Sequence, residues 1–178
     1  MVMALFLITG NSGTGKSTVW QELKNRGFEA YDVDEDGIAK WQNNRTGFIH
    51  PKSSIKKEAR TPEFLKHHAW NVPRDEVEEL AERAKDRTVF LCGLGTNESE
   101  MLDLFKAVFA LVVDDKTLEQ RLLTRTGNDW GKQPHELQQS LAWQRGARDT
   151  YQKLGYIVID ATMPVETVTD SILASLAD

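Results

Sequence analysis

Five short runs of apolar and β-branched residues punctuate the chain: Met3–Thr9, Glu29–Val33, Thr88–Cys92, Val108–Val113 and Tyr156–Asp160. Each is bounded by turn or helix signals and reads as a strand. Between them, apolar residues return every three or four positions, the helical period. Lys16–Arg26 carries such a pattern directly after the first strand. Val72–Lys85 places Val77, Leu80, Ala81 and Ala84 on one side with charges opposite, and Lys116–Arg125 groups Leu118, Leu122 and Leu123. Pro134–Leu154 reads as the longest helix, with proline in its first turn and Gly155 at its end, and Pro164–Leu176 closes the chain. Strand–helix alternation of this kind predicts an α/β fold: a five-stranded parallel sheet between two layers of helices. In such sheets ligands bind at the carboxyl ends of the strands, so the residues just after each strand are the ones to inspect.

One segment breaks the alternation. Trp41–Arg60 is polar, rich in turn formers and without a firm period. A loop of that length inside a compact domain is usually functional or mobile. With the helix after it, it reads as a substrate-side insertion, about 35–86, in a single domain spanning 1–178. Trp41, His67, His68, Trp70 and Asn71 supply ring faces and polar groups for a pocket there, or else core and surface positions.

The first strand runs into GNSGTGKS, Gly10 to Ser17, and a helix runs out of it. This is the phosphate-binding P-loop pattern, in the strand–loop–helix context that it requires. The backbone N–H groups of Gly10, Asn11, Ser12, Gly13, Thr14 and Gly15 can turn inward toward phosphate oxygens. Those of Lys16, Ser17 and Thr18 open the helix, whose N-terminus adds partial positive charge. Lys16 reaches toward the β- and γ-phosphates and Ser17 is placed to ligate Mg²⁺. The expected cofactors are therefore ATP and Mg²⁺.

The second strand leads into Tyr31-Asp32-Val33-Asp34. Two carboxylates there can divide the work, one supporting Mg²⁺ and one binding or deprotonating an acceptor hydroxyl. The bland alternative is that they cap a following helix, with Asp34 as N-cap. After the third strand, Gly93 and Gly95 permit a tight turn or a close ligand, and Thr96 or Asn97 can cap the next helix. No acid ends that strand. Arg121 and Arg125 are four apart on one helical face, followed by the glycine-bearing polar loop Thr126–Lys132. A lid at about 126–133 that closes over the phosphates fits this arrangement, with Arg145 and Arg148 as a second flanking pair. After the last strand, the Asp160–Met163 loop has the place from which backbone can hold an adenine.

Composition narrows the class. The 178 residues are 40% hydrophobic and 28% charged, with a net charge of −5. A globular domain is expected, with non-specific nucleic-acid or anionic-membrane binding disfavoured as its main role. The single cysteine, Cys92, excludes a disulfide framework and reads as a packed thiol. No apolar run approaches the roughly 20 residues of a membrane span, and the N-terminal residues read as a strand with no leader pattern. A cytoplasmic monomer or homodimer is expected.

Together these motifs resemble the small P-loop kinases: adenylate kinase and its nucleotide relatives, shikimate kinase and gluconate kinase. The resemblance implies a three-layer P-loop NTPase fold with strand order 2-3-1-4-5. Asp32-Val33-Asp34 is similar to the aspartate pair of shikimate kinase, which implies Asp32 beside Mg²⁺ and Asp34 on the acceptor. Leu118–Arg125 resembles the helix entering the lid, with Arg121 or Arg125 near the phosphates. Carried through, the resemblance implies phosphoryl transfer to a small metabolite, a nucleoside or nucleotide first and a shikimate- or gluconate-like acid second. A regulatory ATP-binding NTPase is the alternative from a different class.

Overall fold

The computed structural model describes residues 2–51, 55–93 and 95–176. The central sheet is built from β1 (Ala4–Thr9), β2 (Glu29–Asp32), β5 (Thr88–Cys92), β6 (Ala107–Val112) and β7 (Ile157–Asp160). These are the five expected strands, and all of their pairings are parallel. Their spatial order is β2-β5-β1-β6-β7. Counted along the chain without the two insertion strands, that is second, third, first, fourth, fifth, the order that the resemblance implied.

Strand alternation explains the layers. From β1, Phe6 and Ile8 point to one face, where they pack with Val19 and Leu23 of α1 (Lys16–Asn25), Leu118 and Leu122 of α4 (Asp115–Thr124), and Val168 and Ile172 of α7 (Val165–Ala174). Leu5 and Leu7 point to the other, against Val77 and Leu80 of α3 (Arg74–Arg83) and Tyr151 of α6 (Ala147–Lys153). Cys92 is fully buried in this sheet, and burial raises its thiol pKa well above the ordinary value, as expected of a packed cysteine.

Two expectations change. The helix read as Pro134–Leu154 is two helices, α5 (Pro134–Gln144) and α6. The break is at Arg145 and Gly146: Arg145 is extended and Gly146 takes φ +79°, so the two segments part company. The insertion also holds more order than its composition suggests. β3 (Lys40–Asn43) and β4 (His68–Asn71) form an antiparallel ribbon that sets Trp41 opposite Trp70. Alternation was hidden because both strands are only four residues long and half-buried. The helix that precedes β4 is the short α2 (Pro62–His67), capped by Thr61. Residues 52–54 of the insertion, and Leu94 between the two glycines after β5, lie outside the described residues.

Candidate active site

At the carboxyl end of β1 the chain turns sharply because β6 lies directly behind it. Gly10 takes φ +138°, and a Cβ there would stand 2.5 Å from the Leu111 carbonyl oxygen. The loop then closes on itself. Thr14 donates from both its N–H (3.2 Å) and its Oγ1 (2.8 Å) to the Asn11 carbonyl. Lys16 Nζ donates to the Gly10 and Asn11 carbonyls at 2.6 and 3.0 Å. Asn11 Nδ2 donates to Gln144 Oε1 at 3.0 Å, and the Gln144 amide reaches the Val113 carbonyl, so α5 braces the loop from the side. Ser17 and Thr18 are exposed in the first turn of α1. Enclosure lowers the Lys16 pKa, and Asp34, Asp32 and Glu98 oppose that shift. A cation held beside three carboxylates costs less than an isolated buried charge.

The aspartate pair arrives from β2. Asp32 is 2% exposed, and its Oδ1 accepts from the backbone N–H groups of Asp34 (2.9 Å) and Glu35 (3.1 Å). That bond set closes an Asx turn, so the local capping role falls to Asp32 and not to Asp34. No helix follows for Asp34 to cap. Asp34 Oδ1 instead accepts the indole N–H of Trp70 at 3.0 Å. Burial raises the Asp34 pKa, with Lys16 pulling it back down, Asp32 adding to the rise and Trp70 favouring the ionised form.

The two arginines of α4 divide. Arg121 donates to the Thr14 carbonyl (3.1 Å) and to the Ala161 carbonyl (3.0 Å), tying the P-loop to the loop after β7. Arg125 turns toward the Thr126–Lys132 loop: one guanidinium nitrogen donates to Ser12 Oγ (2.9 Å) and the Trp130 carbonyl (2.5 Å). Its pKa is lowered by burial and raised by Asp34 and Glu136. Lys16, Asp34 and Arg125 thus lie within electrostatic reach of one another. Arg145 and Arg148 do not join them. They line a cleft of about 500 Å³ at the ends of β6 and β7, with Asp160 and Thr162 of the loop after β7 and with Gln144, the residue that braces Asn11.

Three residues of the site carried no sequence signal strong enough to single them out. Glu98, six residues beyond β5, brings the acid that the strand end lacks. Its Oε2 accepts from Thr9 Oγ1 (2.5 Å) and its Oε1 from the Tyr156 hydroxyl (3.1 Å), and burial raises its pKa. Glu136 is fully buried in the first turn of α5 and accepts the Gly131 N–H at 2.9 Å, fastening the lid loop. Arg60, the last residue of the irregular stretch, approaches Glu136 at 3.7 Å and lies over the Trp130 ring. The Nε atoms of Arg60 and Arg125 and Glu136 Oε1 are buried without a hydrogen-bond partner among the described residues. Asn97 stands at the N-cap of the 3₁₀ turn Glu98–Glu100 but gives it no side-chain bond. Thr96 N and Oγ1 donate to the Trp70 carbonyl (2.8 and 2.9 Å), and Asn97 brackets Val72, its Oδ1 accepting the Val72 N–H (3.0 Å) and its Nδ2 donating to the Val72 carbonyl (2.8 Å).

The insertion's rings meet in one cluster beside Asp34. Trp41 lies 5.2 Å from both Trp70 and Phe64, and Phe64 stacks on His68 at 4.0 Å. His67 points away to solvent, bonded to Glu63. Ser17 and Asp32 offer hard oxygen donors that suit Mg²⁺. No group of three or more histidine, cysteine or acidic side chains among the described residues forms a metal cage.

A model of the AAA domain family matches residues 7–144, and the chain belongs to that family. Among solved structures, it is similar to shikimate kinase from Aquifex aeolicus vf5, at 22% identity over 97% of this chain and 96% of that one, with a TM-score of 0.58. A gluconokinase from Sinorhizobium meliloti 1021 matches at 18% identity over 99% and 93%, TM-score 0.56. Deoxyadenosine kinase from M. mycoides with bound dATP matches at 15% identity over 98% and 100%, TM-score 0.53. No curated protein sequence matches the chain. The resemblance to the small P-loop kinases, drawn from motifs, therefore holds for the fold. None of its helices among the described residues is long and apolar enough to cross a membrane.

Proposed function

We propose that the protein is an ATP- and Mg²⁺-dependent phosphotransferase acting on a small metabolite, a nucleoside or nucleotide in the first instance. One observation carries the reading. Asp34 stands within electrostatic reach of the P-loop lysine and the lid arginine, and on its other side it is bonded to the insertion. A carboxylate between a phosphate cradle and a second pocket suits transfer from one to the other better than hydrolysis alone.

In this reading the P-loop amides and Lys16 cradle the triphosphate and stabilise the transferring group. Ser17 and Asp32 are the residues that hold Mg²⁺, whose chemistry is to neutralise charge between the phosphates. Arg125 adds charge from the lid and, with Trp130, helps exclude water. Arg121 steadies the loop that receives the adenine. Asp34 orients the acceptor hydroxyl and takes its proton; with a phosphate acceptor it binds the sugar and no base is needed. The aromatic cluster of Trp41, Phe64 and Trp70 favours an acceptor with a planar ring. A second reading, a shikimate- or gluconate-like acid, draws on Arg60, a largely buried insertion cation with an unpartnered Nε.

The test is transfer of label from γ-labelled ATP across nucleosides, nucleoside monophosphates, shikimate and gluconate. One class should take label, and Asp34→Asn should cut its turnover about 10²–10⁴-fold while ATP binding survives. Label reaching only water, or full turnover in Asp34→Asn, overturns the reading.

A further inference from the structure

We infer that Trp70 is a positioning residue for Asp34: its indole N–H fixes one carboxylate oxygen so that the other faces the acceptor. The inference rests on the role proposed for Asp34. Its basis is that Trp70 is held on every side that could let it drift. The β3–β4 ribbon sets it opposite Trp41, whose ring packs 5.2 Å away. Its carbonyl receives the Thr96 N–H and shares the single Thr96 hydroxyl proton with Asn71 Oδ1. The next two residues are pinned as well: Asn71 Oδ1 accepts from Thr96 Oγ1 at 2.8 Å, and Val72 is bracketed by Asn97. The donor therefore arrives at Asp34 on a short strand clamped by the loop after β5, while Asp34 sits in a turn that could otherwise let its side chain swing.

A neutral donor is the chemistry this position calls for. Lys16 and Arg125 already supply positive charge near Asp34, and Asp32 and Glu35 supply negative charge. A further cation would weaken the carboxylate as a base, whereas an indole N–H orients it without neutralising it. The bond also crosses from the sheet to the insertion, joining residues 36 apart in sequence.

The test pairs Trp70→Phe with site-specific incorporation at position 70 of benzothienylalanine, an isosteric ring in which sulfur replaces the N–H. Both keep an aromatic wall and remove the donor, and the isostere excludes a packing defect. With whichever member of the panel accepts label, kcat should fall about tenfold with KM within about twofold, the loss of one transition-state interaction. In an Asp34→Asn background the same changes at position 70 should have no further effect. Equal losses in both backgrounds, or a raised KM at unchanged kcat, overturn the assignment and leave Trp70 as wall alone. An inactive Asp34→Asn with an unchanged kcat in Trp70→Phe overturns Trp70 only. A fully active Asp34→Asn removes the functional reading first and Trp70's role with it.

Discussion

The two halves of the candidate site are built by opposite means. The donor half is local at its centre, where Lys16 reaches carbonyls five and six residues back and Thr14 closes on Asn11. Only its braces, Gln144, Arg121 and Arg125, come from afar. The central bonds all end on backbone carbonyls, so its constraints are glycines and spacing. The acceptor half is assembled from afar. Asp34 meets Trp70, Thr9 meets Glu98 across 89 positions, and Arg60 of the insertion meets Glu136 beside the lid. A local, backbone-bound site leaves a motif in the sequence. A site made of side chains from four elements leaves only scattered residues, each of which has an ordinary explanation.

The sharpest way to break this comparison is at Lys16. Lys16→Ala should abolish measurable transfer, a loss of at least about 10³-fold, while the fold survives. Circular dichroism and labelled-ATP turnover on the same sample check both halves of that statement. Arg125→Ala comes next, at about 10²–10³-fold in kcat, because one guanidinium joins Ser12 of the P-loop to Trp130 of the lid. If Arg125→Ala raises KM for the acceptor and leaves kcat alone, the lid serves the acceptor half and the boundary between the halves is misplaced.

Gly93 probes the seam between the halves. Its φ is +150°, and a Cβ would stand 2.0 Å from Val33 Cγ2, which is itself buried. Gly93→Ala should cost about 3 kcal/mol, read as a lower denaturant midpoint at unchanged slope. A smaller cost would mean that the acceptor side yields more easily than its packing implies.

Much of the fold was legible because sheet and helix periods differ. β1 is buried on both faces, so its apolar run is continuous and unmistakable. The P-loop and the aspartate pair were legible because they follow strands directly. Glu98 was not, because it stands six residues beyond its strand, and its importance comes from Thr9 and Tyr156, which sequence does not bring near. The helix break at Arg145–Gly146 was missed because apolar spacing runs on through it; the backbone alone departs. Arg145 and Arg148 were drawn toward the lid by their spacing, yet that break turns them to another cleft.

Glu98→Gln tests the buried acid through stability. Its folded pKa lies above the ordinary 4.5, so the folded state holds that proton more tightly than the unfolded chain. The stability this contributes is present below about pH 4.5 and is lost as pH rises through the raised value. The glutamine variant should therefore melt close to the natural chain in acid and gain a few degrees on it at neutral pH, about 1 kcal/mol. A gap that shrinks with rising pH contradicts the burial argument. Any accompanying loss of turnover would assign Glu98 to the site beside Lys16.

The smallest effect is expected at Arg148, and it decides where the site ends. Arg148 faces Asp160, whose carboxylate is already bonded to the Thr162 N–H and hydroxyl, and neighbouring Arg145 is 73% exposed, 3.6 Å from Asp115. Charges so placed are screened by water and salt and give little to stability or to a distant phosphate. Arg148→Ala should leave kcat and KM for ATP within about twofold and stability within about 0.5 kcal/mol. A tenfold loss in kcat would mean that the cleft at the ends of β6 and β7 opens onto the transferring phosphate. The donor half would then lean on a further distant cation besides Arg125, some 130 positions from Lys16 in sequence. The contrast between a motif-bound donor and a dispersed acceptor would fail at its stronger end.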